Sequence, residues 1–216
     1  GYEEMFPVAR DRYAHLFQEA VPMFTEQPHV PFLNAPFSPQ RLLLAIGLGG
    51  ISEGYLPTIM LYQRTGILPF KRIMLVDGKS FSDRNATRQH FRKARNKAED
   101  RKEVWSAAYP RAPLYSMCEF VNWSNVSKLV PEGSIVLLSP DNHPTRVILS
   151  DHMQTLSSGL LIVGGNDAVV PDADQNGTKG WVAVHCRVNN TNVTPPVTVY
   201  HDDLRSSKEQ LPTEMN

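Results

Sequence analysis

Short apolar runs, bounded by glycine, proline or polar residues, alternate along this chain with longer segments of mixed polarity. Brief apolar runs rich in branched residues are typical of buried strands, and longer mixed segments are typical of helices. The pattern predicts helices over about 51–64, 97–109, 124–129 and 144–156, and strands at 42–46, 72–76, 114–120, 134–138 and 160–163. Strands that alternate with helices indicate an α/β protein with a Rossmann-like, mostly parallel sheet that is covered by helices on both faces.

Both ends of the chain depart from this alternation. Trp181 to Val188 and Pro196 to His201 have strand-like composition with no helix between them, so we expect antiparallel strands at the C-terminal end. The segment from Val8 to Ala20 predicts a helix, and a proline-rich stretch follows it. The predicted organisation is an N-terminal arm at 1–40, a core at 41–165, an antiparallel extension at 166–205 and a polar, mobile tail at 206–216.

Composition narrows the classes of partner. The 22 basic and 22 acidic residues cancel, so we expect neither nucleic acid nor an anionic membrane to be a partner. Apolar runs are too short to cross a bilayer, and the chain does not open on a charged and then apolar leader, so we expect a cytoplasmic protein. The two cysteines are far apart, which excludes a four-cysteine zinc site and favours a reducing compartment.

The first predicted strand ends in a glycine cluster, at Gly47, Gly49 and Gly50. Glycines there let backbone N–H groups approach a phosphate, and the following helix directs its positive N-terminal end to the same place. The second strand ends at Asp77, where a carboxylate can accept hydrogen bonds from a ribose. Ser52 stands where a dinucleotide-binding turn would have a third glycine, so this turn alone leaves nucleotide binding and simple chain reversal both open.

More polar residues follow the later strands. Each has a simple structural alternative: a solvated arginine, a lysine on an exposed helix face, or an aspartate that caps a helix. Their shared position at the carboxyl ends of parallel strands favours a ligand site instead. They are Asn85, Arg88 and Gln89 after the second strand, Asn96 and Lys97 at the next helix, and Asp141, Asn142 and Arg146 after the fourth strand.

This order of motifs resembles the ThiF/MoeB superfamily, the adenylation fold of ubiquitin-activating enzymes and their bacterial relatives. The resemblance covers about residues 41–165. It implies that the protein binds ATP with Mg²⁺ and adenylates the C-terminal carboxylate of a small ubiquitin-like or carrier protein. It also implies a homodimer.

The resemblance also implies roles for individual residues. Asp77 would bind the ribose hydroxyls, and Asp141 would hold Mg²⁺. Arg88 and Lys97 would neutralise the triphosphate, because attack by a carboxylate on the α-phosphate brings two negative charges together. The remaining implied contacts with the nucleotide are the side chains of Asn85 and Gln89 and the glycine turn at Gly47, Gly49 and Gly50, with the amides of the last two approaching the nucleotide.

The chain also departs from the family pattern. Lys79 stands where the family usually has a second acid, and changed loop lengths leave Lys93 or Lys102 as alternatives to Lys97. An arginine from a partner's N-terminal helix, Arg10 or Arg12 here, could complete the site. A thioester at Cys186 or Cys118 stays open; Cys118 is expected inside the third strand, where a buried cysteine is structural.

Three rival interpretations follow. One is another branch of the same fold, such as a tRNA-base dehydratase or a peptide-adenylating enzyme. Another is a catalytically silent scaffold or regulatory subunit, which Lys79 favours. The third is an NAD-binding Rossmann oxidoreductase, against which stand Ser52 and the motif from Asn85 to Gln89.

Overall fold

The computed structural model describes residues 42–66, 70–85, 89, 95–166, 180–201 and 203–206 of the 216-residue chain. The predicted N-terminal helix and arm lie outside these residues, as do Arg88, Lys93 and nearly all of the tail. The division into arm, core, extension and tail therefore stays a prediction.

Strands and helices alternate through the first two thirds of the described chain. They are β1 (Leu42–Ile46), α1 (Gly50–Thr65), β2 (Arg72–Val76), a 3₁₀ turn (Asp83–Asn85), α2 (Lys97–Ala108), β3 (Leu114–Met117), α3 (Val126–Leu129), β4 (Ile135–Leu138), α4 (His143–Met153), β5 (Gly159–Asn166), β6 (Gly180–Val188), β7 (Thr191–Asn192), α5 (Val197–Tyr200) and α6 (Asp203–Ser206).

The described strands form one sheet in the order β3-β2-β1-β4-β5-β6-β7. Strands β1 to β5 are parallel, whereas β6 pairs antiparallel with β5, and β7 pairs antiparallel with β6. The predicted α/β fold, with a parallel sheet and antiparallel strands at the C-terminal end, is thereby confirmed. Strand order reverses between β1 and β4, and in open α/β sheets this is the place where ligands bind.

Both faces of the sheet are buried, as the unbroken apolar runs of its strands predict. Alternate residues of β1 pack on opposite faces of the sheet. Leu44 and Ile46 belong to a core cluster with Leu149 of α4. Leu43 and Ala45 belong to a second cluster, which includes Met60 of α1. Since every residue from Leu43 to Ile46 is almost fully buried, β1 is fixed in register, and the turn that follows it is fixed as well.

The C-terminal prediction was wrong in one element. The segment that reads as a strand at 196–201 is the short helix α5, and β6 pairs with the two-residue β7 instead. Pro196 caps α5, and Val197 is fully buried in the same cluster as Leu204. Tertiary packing therefore overrides the strand preference of the β-branched residues. None of the described helices is long and apolar enough to cross a membrane.

Candidate active site

The turn after β1 requires glycine at its first position. Gly47 has a φ of +82°, and a Cβ placed there would lie 2.5 Å from the backbone nitrogen of Pro140. Its N–H donates to the Val76 carbonyl at 2.9 Å, and its carbonyl accepts from the Ser139 hydroxyl at 2.6 Å. This turn therefore holds the ends of β1, β2 and β4 together.

Helix α1 begins at the same turn, without a side-chain cap. Gly49 is its N-cap residue, and the Ser52 hydroxyl donates to the Gly49 carbonyl at 2.6 Å. Ser52 is completely buried there. Gly50 is exposed, and a Cβ there would meet no described atom within 4 Å. The positive end of the helix dipole lies at this turn.

Asp77 follows β2 and is anchored by backbone donors. Its Oδ2 accepts from the Leu48 N–H at 2.7 Å, and its Oδ1 accepts from the Lys79 N–H at 2.7 Å. Burial raises the pKa of Asp77, while these two N–H groups and the charges of Lys97 and Lys79 act in the opposite direction. The carboxylate therefore has a fixed orientation beside the glycine turn.

Lys97 is the first residue of α2 and is almost completely buried. Its N–H donates to the Lys79 carbonyl at 3.0 Å, and its ammonium lies 5.5 Å from the centre of the Phe81 ring. The charge of Lys97 opposes the rise that burial causes in the pKa of Asp77, and it contributes to the lowered pKa of Asp141. The backbone of Lys97 is thus joined to Lys79, whose own N–H holds Asp77, and the Lys97 side chain does not lie on an exposed helix face.

Asp141 follows β4 and is exposed. Its Oδ1 lies 3.3 Å from the Lys79 ammonium. Partial burial opposes its ionisation, but the charge and hydrogen bond of Lys79, with the charge of Lys97, keep the pKa of Asp141 below its usual value. Asp141 does not cap α4, because Asn142 does so by accepting from the Thr145 N–H at 3.0 Å. The capping explanation for this aspartate is therefore wrong.

The motif after Asp77 is only partly described. The Asn85 side-chain oxygen accepts from the Ser82 N–H at 3.0 Å, so this buried residue shapes its own turn. Gln89 is buried, and its Nε2 is 3.7 Å from where a Cβ of Gly49 would stand. Its Oε1 has no hydrogen-bond partner among the described residues. Gln89 therefore lies against the glycine turn, while the role of Arg88 stays a prediction.

One side chain that the sequence analysis did not single out, Tyr55, also lines this edge. The Tyr55 hydroxyl lies 3.4 Å from the Ser139 hydroxyl, and burial raises the pKa of Tyr55 well above its ordinary value. The charge of Asp77 acts on the pKa of Tyr55 in the same direction. In the sequence, the signal for Tyr55 is a ring with a hydroxyl group on the face of α1 that packs against the core. The Arg146 guanidinium donates to the Pro140 carbonyl at 3.0 Å and so stabilises the loop that carries Asp141.

These residues do not fit a magnesium ion held by the protein at Asp141. In nucleotide sites Mg²⁺ is held in near-octahedral geometry by one or two carboxylates together with the substrate phosphates and water. Here Asp77 is directed by two backbone amides, and Asp141 already faces the ammonium of Lys79, which would repel a divalent cation. Among the described residues, no group of three or more histidine, cysteine, aspartate or glutamate side chains could hold a metal ion.

Neither cysteine has the setting of an activated nucleophile. Cys186 is buried, and burial raises the pKa of its thiol. Cys118 is exposed and lies just beyond β3, so its expected place inside that strand was wrong. Burial, followed by the charge of Glu99, raises the pKa of Cys118. A reactive cysteine needs a lowered pKa, so this site has no preformed thiolate from either residue.

No protein-family model and no curated protein sequence matches the chain. Solved structures do match part of it. Escherichia coli MccB with ATP is 20% identical, with a TM-score of 0.48, over 57% of this chain and 37% of MccB. E. coli tRNA N6-threonylcarbamoyladenosine dehydratase TcdA with AMP is 22% identical, with a TM-score of 0.47, over 62% of this chain and 55% of TcdA.

A third structure, PaaA, is 16% identical, with a TM-score of 0.47, over 76% of this chain and 49% of PaaA. The chain thus spans between about a third and just over half of these proteins. Likenesses at this level concern the fold and assign no activity. The resemblance of this chain to the ThiF/MoeB superfamily therefore rests on its sequence motifs.

Proposed function

We propose that this chain is an ATP-dependent adenylyltransferase that activates the C-terminal carboxylate of a small ubiquitin-like or carrier protein, or of a peptide. One observation carries the proposal: Lys79 connects Asp77, Lys97 and Asp141, which come from three separate stretches. It does so through backbone hydrogen bonds of 2.7 and 3.0 Å and an ion pair of 3.3 Å, at the edge of the sheet where strand order reverses. Gly50, at the start of α1, is exposed, and a Cβ there would meet no described atom within 4 Å. This is the position and the charge pattern that a nucleotide requires in an open α/β sheet.

The proposed reaction joins the acceptor to AMP. A carboxylate oxygen attacks the α-phosphorus of ATP, the bond to the oxygen bridging the α- and β-phosphorus breaks, and pyrophosphate leaves with that oxygen. Negative charge builds up around the phosphates during this step. Lys97, which the structure holds in a low-dielectric position, and Arg88 would stabilise that charge. The protein contributes position and electrostatics and forms no covalent bond itself.

Asp77 would bind the ribose, with its orientation fixed by the amides of Leu48 and Lys79. The magnesium ion that the resemblance implies takes no step here, because Asp141 is paired with Lys79. The proposal includes a homodimer, whose partner could supply Arg10 or Arg12 from the N-terminal arm.

The ribose contact gives the first prediction. Wild-type protein should bind ATP about 10–100-fold more tightly than 2′,3′-dideoxy-ATP, since the dideoxy nucleotide loses hydrogen bonds to a charged acceptor. Asp77→Ala should bind the two nucleotides nearly equally, whatever the substitution does to the turn. Calorimetric titration measures all four affinities, and comparing two nucleotides on one variant separates ribose contact from misfolding. If wild type and Asp77→Ala prefer ATP to 2′,3′-dideoxy-ATP by the same factor, Asp77 does not bind the ribose.

Two further measurements separate this function from its rivals. ATP should raise the melting temperature of the chain and NAD should not, whereas an oxidoreductase would show the reverse.

Wild-type protein should catalyse ATP–pyrophosphate exchange when short synthetic peptides with a C-terminal glycine are supplied. ATP binding without exchange on any such peptide or carrier protein would favour the silent scaffold.

A further inference from the structure

Lys79 is held in place by backbone contacts on both sides. Its N–H donates to Asp77 Oδ1 at 2.7 Å, and its carbonyl accepts from the Lys97 N–H at 3.0 Å. An antiparallel bridge between Ser80 and Asn96 continues the second contact. The lysine therefore starts from a fixed point at the carboxyl edge of the sheet, between the two residues proposed to contact the ribose and the phosphates.

The ammonium of Lys79 reaches across to the end of β4. It lies 3.3 Å from Asp141 Oδ1, and the two side chains are 47% and 81% exposed. Exposed ion pairs of this kind contribute little to stability, because water solvates both charges well. The ammonium has three donors, so it can keep Asp141 as a partner and bind a phosphate as well, and its exposure leaves it accessible to a ligand.

Four charged side chains described at this edge balance one another. Asp77 and Asp141 contribute two negative charges, and Lys79 and Lys97 contribute two positive charges that act on both carboxylates. Two carboxylates with no adjacent cation would attract a divalent metal ion. With Lys79 against Asp141, a divalent ion would meet an ammonium at the same carboxylate. Lysine supplies a compact point charge of the kind that binds phosphate.

We propose that Lys79 takes the place of a protein-bound divalent cation: its ammonium stays paired with Asp141 while it binds the phosphates of ATP, and the protein offers Mg²⁺ no ligand of its own. The inference rests on the proposed function, since it requires ATP in this site. Free ATP carries more negative charge than its magnesium complex. ATP affinity should therefore be at least as high in EDTA as in excess Mg²⁺.

The test is calorimetric titration of the full chain with ATP in EDTA and in excess Mg²⁺. Wild type should bind at least as tightly in EDTA. Lys79→Asp should weaken binding in EDTA by about 10–100-fold, the scale of losing a hydrogen bond between charged groups, and Mg²⁺ should restore most of it. Lys79→Met, which keeps much of the apolar stem, should lose affinity in EDTA without the recovery in Mg²⁺.

Lys71→Asp is the matched control. Lys71 is exposed and precedes β2, so it lies at the opposite edge of the sheet, and the same charge change there should leave both affinities unaltered. Wild-type binding that requires Mg²⁺, or an equal loss in Lys71→Asp, would overturn the inference and leave the proposed function standing. If ATP binds neither in EDTA nor in Mg²⁺, the proposed function is overturned, and the inference with it.

Discussion

Replacing Lys97 with alanine is expected to slow ATP–pyrophosphate exchange by about 10²–10³-fold, the scale of losing one preorganised charge-stabilising donor. The ammonium is held rigidly, because Lys97 is nearly buried at the first position of α2 and packs over the Phe81 ring. A cation that is already oriented needs no reorganisation as charge develops on the phosphates. Lys97→Arg should recover only part of the rate, since a planar guanidinium is larger than the ammonium it replaces.

Lys102→Ala is the control for this variant. Lys102 lies on the same helix but is exposed, and its removal should leave the exchange rate unchanged. A thermal melt of each variant separates loss of rate from loss of folded protein, because the Lys97 stem also contributes to packing. An unchanged rate for Lys97→Ala, or a larger loss for Lys102→Ala, would contradict the assignment of the working lysine.

Gly47→Ala is expected to destabilise the protein by about 2–4 kcal/mol, from the combined cost of a left-handed backbone conformation and an overpacked contact. The contact cannot relax easily, because the new Cβ would lie 2.5 Å from the backbone nitrogen of Pro140. For a chain of this size, such a loss corresponds to a melting temperature about 5–15 °C lower. Calorimetric or fluorescence melting measures it directly.

Gly54→Ala is the matched control for Gly47→Ala. Gly54 lies inside α1, and a Cβ there would meet no described atom within 4 Å. Alanine should therefore stabilise the helix by roughly 0.5–1 kcal/mol. A melting temperature for Gly47→Ala equal to that of wild type would mean that the glycine turn and the Pro140 loop are not joined as described.

Much of the fold follows from sequence because its signals are local. β1 and β2 were predicted with their observed bounds, since both are apolar runs cut off by a glycine turn or by Asp77. Helix α1 ends at Gly66, whose φ of +75° is the left-handed conformation that a C-terminal glycine indicates. The convergence of strand ends follows from the parallel topology, which alternation alone predicts.

Other features depend on contacts between distant residues and could not be predicted from local sequence. The pair between Lys79 and Asp141 spans 62 positions, and the bond from Ser139 to Gly47 spans 92. The strand-like segment at 196–201 is helical because Val197 is buried in the core. In each case the partner that decides the outcome is brought in by the tertiary fold.

The most direct test of the account is an experimental structure of the chain with a non-hydrolysable ATP analogue. The account predicts the ribose at Asp77, the triphosphate over the start of α1, and the side chains of Lys97, Lys79 and Arg88 on its phosphates. An analogue bound elsewhere would contradict the central claim. So would an analogue bound at the glycine turn with the side chains of Asp77, Lys79, Arg88 and Lys97 directed away from it.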